Sequence, residues 1–142
     1  MPGPTDFDFW LGTWGARWEG GEGRNVVEKT HGGRVVSESF DGRPGAEFAG
    51  SSWSVYDEHA DLWRQTWVDD TGNYFALEGR VANGEMKLIC DRHNGPDPAV
   101  VYRMRFTEIT ADAFVWLWER AESKDSEFEL RWRIDYERYS PV

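Results

Sequence analysis

The 142-residue sequence predicts an all-β protein, a single closed antiparallel meander β-barrel of about ten strands. No segment of helical length keeps an apolar period of 3.6 residues, whereas short alternations of apolar and polar residues recur along the chain. Short connections separate these segments, which favours pairing between strands that are neighbours in sequence. Because no amphipathic helix is available to cover one face of so long a sheet, closure of the sheet on itself would bury that face and remove its edges. A two-sheet sandwich is the alternative architecture.

Ten alternating segments define the predicted strands, and the last of them shows the clearest pattern. Its apolar residues, each followed by a charged one, are Phe128, Leu130, Trp132, Ile134 and Tyr136. One apolar and one charged face is typical of a strand with water on one side. The predicted strands are residues 12–19, 25–31, 34–41, 47–56, 62–69, 73–80, 85–92, 99–107, 113–121 and 128–138.

Glycine, asparagine and aspartate mark the turns between these strands. Such residues tolerate the positive φ angles that tight hairpin turns require. The turn segments are residues 20–23, 32–33, 42–45, 70–73 and 83–84. No linker, repeat or low-complexity stretch interrupts the pattern, so we expect one domain over residues 1–142.

Charge and cysteine content restrict the partners and the compartment. The net charge of −10 would repel phosphate backbones, so we do not expect a nucleic-acid partner. A single cysteine, Cys90, excludes an intrachain disulfide, which suits a reducing cytoplasm. We find no signal-peptide pattern and no apolar run of roughly 20 residues, so we expect a cytoplasmic protein with no membrane partner. The three histidines lack the spacing of a metal pair, so no metal site is predicted.

Aromatic residues make up 15% of the chain, with nine Trp, five Tyr and eight Phe. Because each ring buries about 150–250 Å², a barrel of this length can bury only some of them without filling its lumen. We therefore expect several rings to line a pocket for a small apolar or aromatic molecule, and a cavity below the roughly 300 Å³ typical of ligand sites would count against both ligand binding and catalysis there. The Gln65 amide, between two tryptophans, is a candidate partner for a ligand carbonyl or hydroxyl. The predicted ligand-binding residues are Trp18, Trp53, Gln65, Trp67, Tyr102, Met104, Trp116, Trp118 and Trp132.

Two glutamates are the candidate catalytic residues. Glu28 alternates with Val26, and Glu38 lies between Val36 and Phe40 on the same strand face. If the apolar neighbours point inward, both carboxyl groups do too, and a carboxyl in an apolar lumen has a raised pKa suited to acid–base catalysis. A shift of register by one residue would instead place both in solvent.

The opening of the chain resembles that of the calycin superfamily. The stretch Phe9-Trp10-Leu11-Gly12-Thr13-Trp14 matches the short helical turn and Gly-x-Trp strand that close one end of those barrels. The chain is similar to a lipocalin-like family of bacterial proteins that begin Asp-Phe-x-Phe-Trp-x-Gly-x-Trp. Further similar stretches are residues 32–42, 54–57, 63–69 and 84–88. The resemblance implies a lipocalin-like barrel with a short N-terminal helical turn, and it leaves the function open because such barrels serve as carriers, haem proteins and enzymes.

Three functions therefore stay open. The first is binding of a small hydrophobic or aromatic molecule in the lumen. The second is a cofactor-independent isomerase, cyclase or hydratase with Glu38 as acid or base and Glu28 as its helper. The third is haem binding as in nitrobindin, which also opens with Gly-x-Trp. Nitrobindin-type barrels need a proximal histidine near the end of the chain, whereas the last histidine here is His93, so we expect no cofactor. If Trp116 and Trp118 face outward, they would form an apolar patch suited to a homodimer.

Overall fold

A computed structural model describes residues 3–139 and shows ten antiparallel strands in a closed barrel. Each strand pairs with its neighbours in sequence, and β1 pairs with β10 to close the sheet. The predicted fold class is therefore confirmed. The strands are β1 (Gly12–Trp18), β2 (Gly21–Thr30), β3 (Val35–Asp41), β4 (Ala49–Asp57), β5 (Leu62–Asp69), β6 (Tyr74–Ala82), β7 (Glu85–His93), β8 (Val101–Thr107), β9 (Ala113–Ala121) and β10 (Glu129–Arg138). Within residues 3–139, no helix is both long and apolar enough to cross a membrane.

Most strand bounds lie within two residues of those predicted, and the start of β2 is the exception. The glycine-rich residues 21–24 belong to the strand and pair with residues of β1 rather than forming a longer turn. Glycine is needed there because a Cβ at Gly21 would approach the Trp18 indole nitrogen to 2.7 Å. Gly21, which the sequence placed in a turn, therefore makes room for a tryptophan.

An aromatic plug seals one end of the barrel. A short 3₁₀ turn, Asp8–Trp10, precedes β1, and Phe7 packs against Trp10, Trp63 and Phe106 with ring centroids 5.0, 4.9 and 5.3 Å away. The Trp14 indole donates a hydrogen bond of 2.8 Å to the carbonyl oxygen of Trp10. These contacts fix the turn across the mouth of the barrel, so we call this the closed end. The opposite, open end carries the connections 19–20, 42–48, 70–73, 94–100 and 122–128.

The inward face of β2 differs from the prediction. Asn25 and Val27 are buried, whereas Val26 and Glu28 are exposed. The pairing with β3 sets this orientation, because Val27 lies opposite Glu38. Adjacent valines made the two faces of β2 look alike in the sequence. The expected inward position of Glu28 is therefore wrong, and its carboxyl lies on the outer surface.

Two other side chains face solvent against expectation. Trp53 is 44% exposed, because Ser52 and Ser54 occupy the inward positions on either side of it. Leu130 is 53% exposed, because a bulge between Leu130 and Trp132 shifts the alternation of β10.

Trp116 and Trp118 face the lumen, whereas the sequence of β9 left open whether they face inward or outward. They therefore form no outward patch, and the argument for a homodimer at that place is removed.

Removal of the central ring of the plug should cost the protein much of its stability. Phe7 is fully buried, and Phe7→Ala should lower the free energy of unfolding by about 3–5 kcal/mol, because it removes a ring and leaves a cavity. Urea denaturation measures this value. Tyr74→Ala is the control, since Tyr74 is exposed and the change should fall within about 0.5 kcal/mol. A cost below about 1 kcal/mol for Phe7→Ala would show that the plug does not hold the barrel closed.

Candidate functional site

A cavity of about 230 Å³ occupies the lumen. It extends from Trp10 in the plug to Asp69 and Asn73 at the open end. Its volume is below the roughly 300 Å³ that we expected of a ligand site, so that expectation is wrong and the cavity can hold only an occupant smaller than a drug-sized molecule. The lining residues are Trp10, Glu38, Phe40, Phe48, Trp67, Asp69, Asn73, Phe75, Met104, Phe106, Trp116, Trp118, Trp132, Ile134 and Tyr136.

Indole rings from β9 and β10 form one wall of the cavity. Trp116 and Trp118 stack in parallel, with centroids 5.9 Å apart and an interplanar angle of 5°. Trp132 meets Trp116 edge to face at 5.8 Å and 89°. Tyr102 stacks behind Trp118 at 5.0 Å. Alternate residues on antiparallel strands point to the same face, which is why the sequence spacing of two brings these rings together.

The opposite wall carries Trp67, whose position is fixed at the open end of the barrel. Its indole nitrogen donates to Asp69 at 2.9 Å, and Asp69 also accepts hydrogen bonds from Thr71 and Asn73. Partial burial opposes ionisation of Asp69, but the hydrogen bonds from Thr71 and Trp67 hold the pKa of its carboxyl below the ordinary value. Gly50 leaves room for the ring, since a Cβ there would collide with Trp67. Trp67 and an ionised carboxylate therefore flank the entrance.

Glu38 places a carboxyl group in this aromatic cavity. Ser52 donates a hydrogen bond of 2.6 Å to Oε1, and Asn25 donates one of 2.8 Å to Oε2. Burial raises the pKa of Glu38 above its ordinary value of 4.5, although both hydrogen bonds act in the opposite direction. Tyr136, which also lines the cavity, has a pKa raised by its own burial and then by the Glu38 charge. The carboxyl and the phenol are thus close enough to interact electrostatically.

Two amide oxygens near this carboxyl lack partners. Within residues 3–139, no hydrogen bond reaches Asn25 Oδ1 or Gln65 Oε1, and both side chains are buried. Gln65 donates through Nε2 to Ser54 at 2.9 Å. Both oxygens belong to strands on the side of the barrel formed by β2 to β5.

The predicted site residues fall into three groups. Those that line the cavity are Glu38, Trp67, Met104, Trp116, Trp118 and Trp132. Those that face inward but do not line it are Trp18, Gln65 and Tyr102. Trp18 packs edge to face on Trp132 at 5.3 Å, so it supports a lining ring rather than meeting a ligand. Glu28 and Trp53 lie on the outer surface, as described above, so neither meets the lumen.

Other lining residues were not predicted. Phe40 and Tyr136 share strand faces with Glu38 and Trp132, so the alternation pointed to them. Phe48 and Asn73 lie in the connections at the open end, although the predicted strands 47–56 and 73–80 included them.

The described residues offer no evident metal or haem ligand set. No group of three or more His, Cys, Asp or Glu side chains within residues 3–139 is arranged to hold a metal. None of the three histidines lines the cavity, and both ring nitrogens of His93 are engaged with Val100 and Gly95. Burial raises the pKa of Cys90 to about 11, so its thiol is unreactive at neutral pH. The proximal histidine that a nitrobindin-type haem site requires is therefore missing from the cavity.

The fold and site together define a closed ten-stranded antiparallel barrel with an aromatic internal cavity. No family model and no curated protein matches the sequence. Among solved structures, the barrel is similar to the crystal structure of Rv2717c from M. tuberculosis, with a TM-score of 0.60 and 11% identity. The alignment covers 99% of each chain. At this identity the likeness shows a common fold alone.

The Glu38 environment predicts a specific pH dependence of stability. A carboxyl whose pKa is raised on folding contributes stability below its unfolded value, and this contribution is lost as the pH rises through the folded pKa. The free energy of unfolding of the wild type should therefore fall relative to that of Glu38→Gln from about pH 4.5 upward. Chemical denaturation of both proteins between pH 4 and pH 8 checks this, with Glu28→Gln as the control for losing one acidic side chain. A difference that stays constant with pH would contradict the burial of Glu38.

Proposed function

We propose that this protein binds a small, largely apolar molecule of one or two rings in the lumen of the barrel. The main observation behind this proposal is an aromatic cavity with a single carboxyl, Glu38, on its inner wall. Ligand sites combine such apolar walls with a few fixed polar groups that orient the bound molecule. The opening motif and the plug that it forms support a lipocalin-like family, and the free thiol of Cys90 suits a cytoplasmic location.

The volume of the cavity argues for a ligand of this size. An apolar cavity of about 150 Å³ in another protein accommodates benzene, and the lumen here holds about 230 Å³. One substituted ring or a fused pair therefore fits, whereas a long acyl chain does not. Trp116, Trp118 and Trp132 give the cavity an aromatic wall that a planar apolar molecule can contact.

A matched pair of tryptophan variants tests binding in the lumen. Titration calorimetry with indole should give saturable binding to the wild type, and Trp116→Leu should weaken it about tenfold because a stacking partner is lost. Trp53→Leu removes the same ring from the outer face and should leave the affinity unchanged. Equal effects of the two substitutions, or no binding by the wild type, would refute the proposal.

One observation favours a second function, general-base catalysis in the same cavity. The raised pKa of Glu38 and its position beside aromatic walls are features of enzymes that abstract a proton from a carbon acid. The two neutral donors, Ser52 and Asn25, orient its oxygens without neutralising the charge.

A carbon-acid probe tests this second function. Nitrobenzisoxazole is a bicycle that opens when a base removes its ring C–H proton and the N–O bond breaks, which releases a coloured cyanophenolate. Turnover by the wild type should exceed that by Glu38→Gln about 10²–10⁴-fold. Equal rates in the two proteins would exclude Glu38 as a base for this reaction.

A further inference from the structure

The charged residues that line the cavity are all acidic. Two lining residues are acidic, Glu38 on the inner wall and Asp69 at the open end, and within the described residues no lysine, arginine or histidine lines the space. The direct hydrogen-bond partners of Glu38 are the neutral side chains of Ser52 and Asn25. Glu38 therefore lacks a counter-ion inside the barrel.

A buried carboxylate without a counter-ion is unfavourable, and this cost can be relieved in two ways. The carboxyl can bind a proton, or it can pair with a cation that enters the cavity. Ser52 and Asn25 each donate a hydrogen bond to one oxygen of Glu38, which is the arrangement that suits an ionised carboxylate.

The opposite wall is suited to a cation as well. The faces of indole rings carry negative potential and attract ammonium groups within about 6 Å. In the part of the chain that the structure describes, the cation–π contacts involve Arg24 on Tyr139, Arg103 on Phe128 and Arg138 on Trp14. None of these aromatic rings lines the cavity, so the four lining indoles beyond the plug are left without a cation.

We infer that the lumen selects a small aromatic amine in its ammonium form. Glu38 is the counter-ion of the ammonium group, and the indoles of Trp116, Trp118 and Trp132 surround the ligand. This inference rests on the proposed function and narrows its ligand class. An ammonium group supplies the N–H donors that the carboxylate accepts, and the pair is neutral once formed. The net charge of −10 raises the local concentration of cations around the protein.

Three ligands of one shape and different charge test the inference. Calorimetric titration at neutral pH would compare phenethylamine, a cation, with phenethyl alcohol, which is neutral, and phenylacetate, an anion. The amine should bind the wild type at least about tenfold more tightly than the alcohol, and the anion should bind most weakly. In Glu38→Gln the preference for the amine should disappear, whereas Glu28→Gln, which removes an acidic side chain from the outer face, should keep it.

The pH dependence supplies a measurement that needs no variant. As the pH falls and Glu38 takes up a proton, the affinity of the wild type for the amine should drop, while its affinity for the alcohol should not. Tyr136 on β10 is the other titratable group that interacts with Glu38, and its phenol stays protonated at neutral and acidic pH. Ser52 on β4 and Asn25 on β2 do not titrate, and Asp69 stays ionised to lower pH than an ordinary aspartate.

The outcomes separate the two proposals. Equal binding of all three ligands, or a preference for the amine that survives in Glu38→Gln, overturns the amine inference and leaves binding in the lumen standing. If none of the three ligands and no indole binds the wild type, both proposals fail.

Discussion

The pairing of β1 with β10 joins the two ends of the chain and turns a sheet into a barrel. Four residue pairs, from Trp14 with Arg138 to Arg17 with Asp135, form this seam. Once the sheet is closed, every strand has one face toward the lumen, and the pleat decides which side chains share that space. Arg138 strengthens the seam, since its guanidinium lies 4.3 Å over the Trp14 ring and donates to the carbonyl of Leu11 at 2.8 Å.

Closure also explains why the lumen has two unlike walls. Strands β2 to β5 contribute short polar side chains inside, including Asn25, Ser52 and Ser54, beside the rings of Phe40 and Trp67, whereas β8 to β10 contribute mainly large rings. Small side chains on one wall leave the volume that large rings on the other do not fill. The cavity is thus the consequence of unequal side-chain size across the barrel, and Glu38 lies on the side where hydrogen-bond donors are available to it.

Much of the fold could be predicted because strand alternation and turn residues are local signals. Orientation was harder, since a strand with apolar residues on both faces does not reveal which face is inside. Glu28 illustrates this, because adjacent valines hid the parity of β2, and only the pairing with β3 resolves it. The orientation of Glu38 was equally open in the sequence, since Val35 and Val36 are adjacent in β3, and the structure places Val36, Phe40 and the Glu38 carboxyl on the lumen side. Phe48 falls in a predicted strand but lies in the connection before β4, so strand alternation does not set its orientation.

The most direct test of the account is a crystal structure of the protein grown with phenethylamine. The account predicts the aromatic ring in the lumen beside Trp116 and Trp132, with the nitrogen within hydrogen-bond distance of the Glu38 carboxylate. A ligand bound instead on the outer face near Trp53, or a lumen that stays empty at saturating ligand, would contradict it.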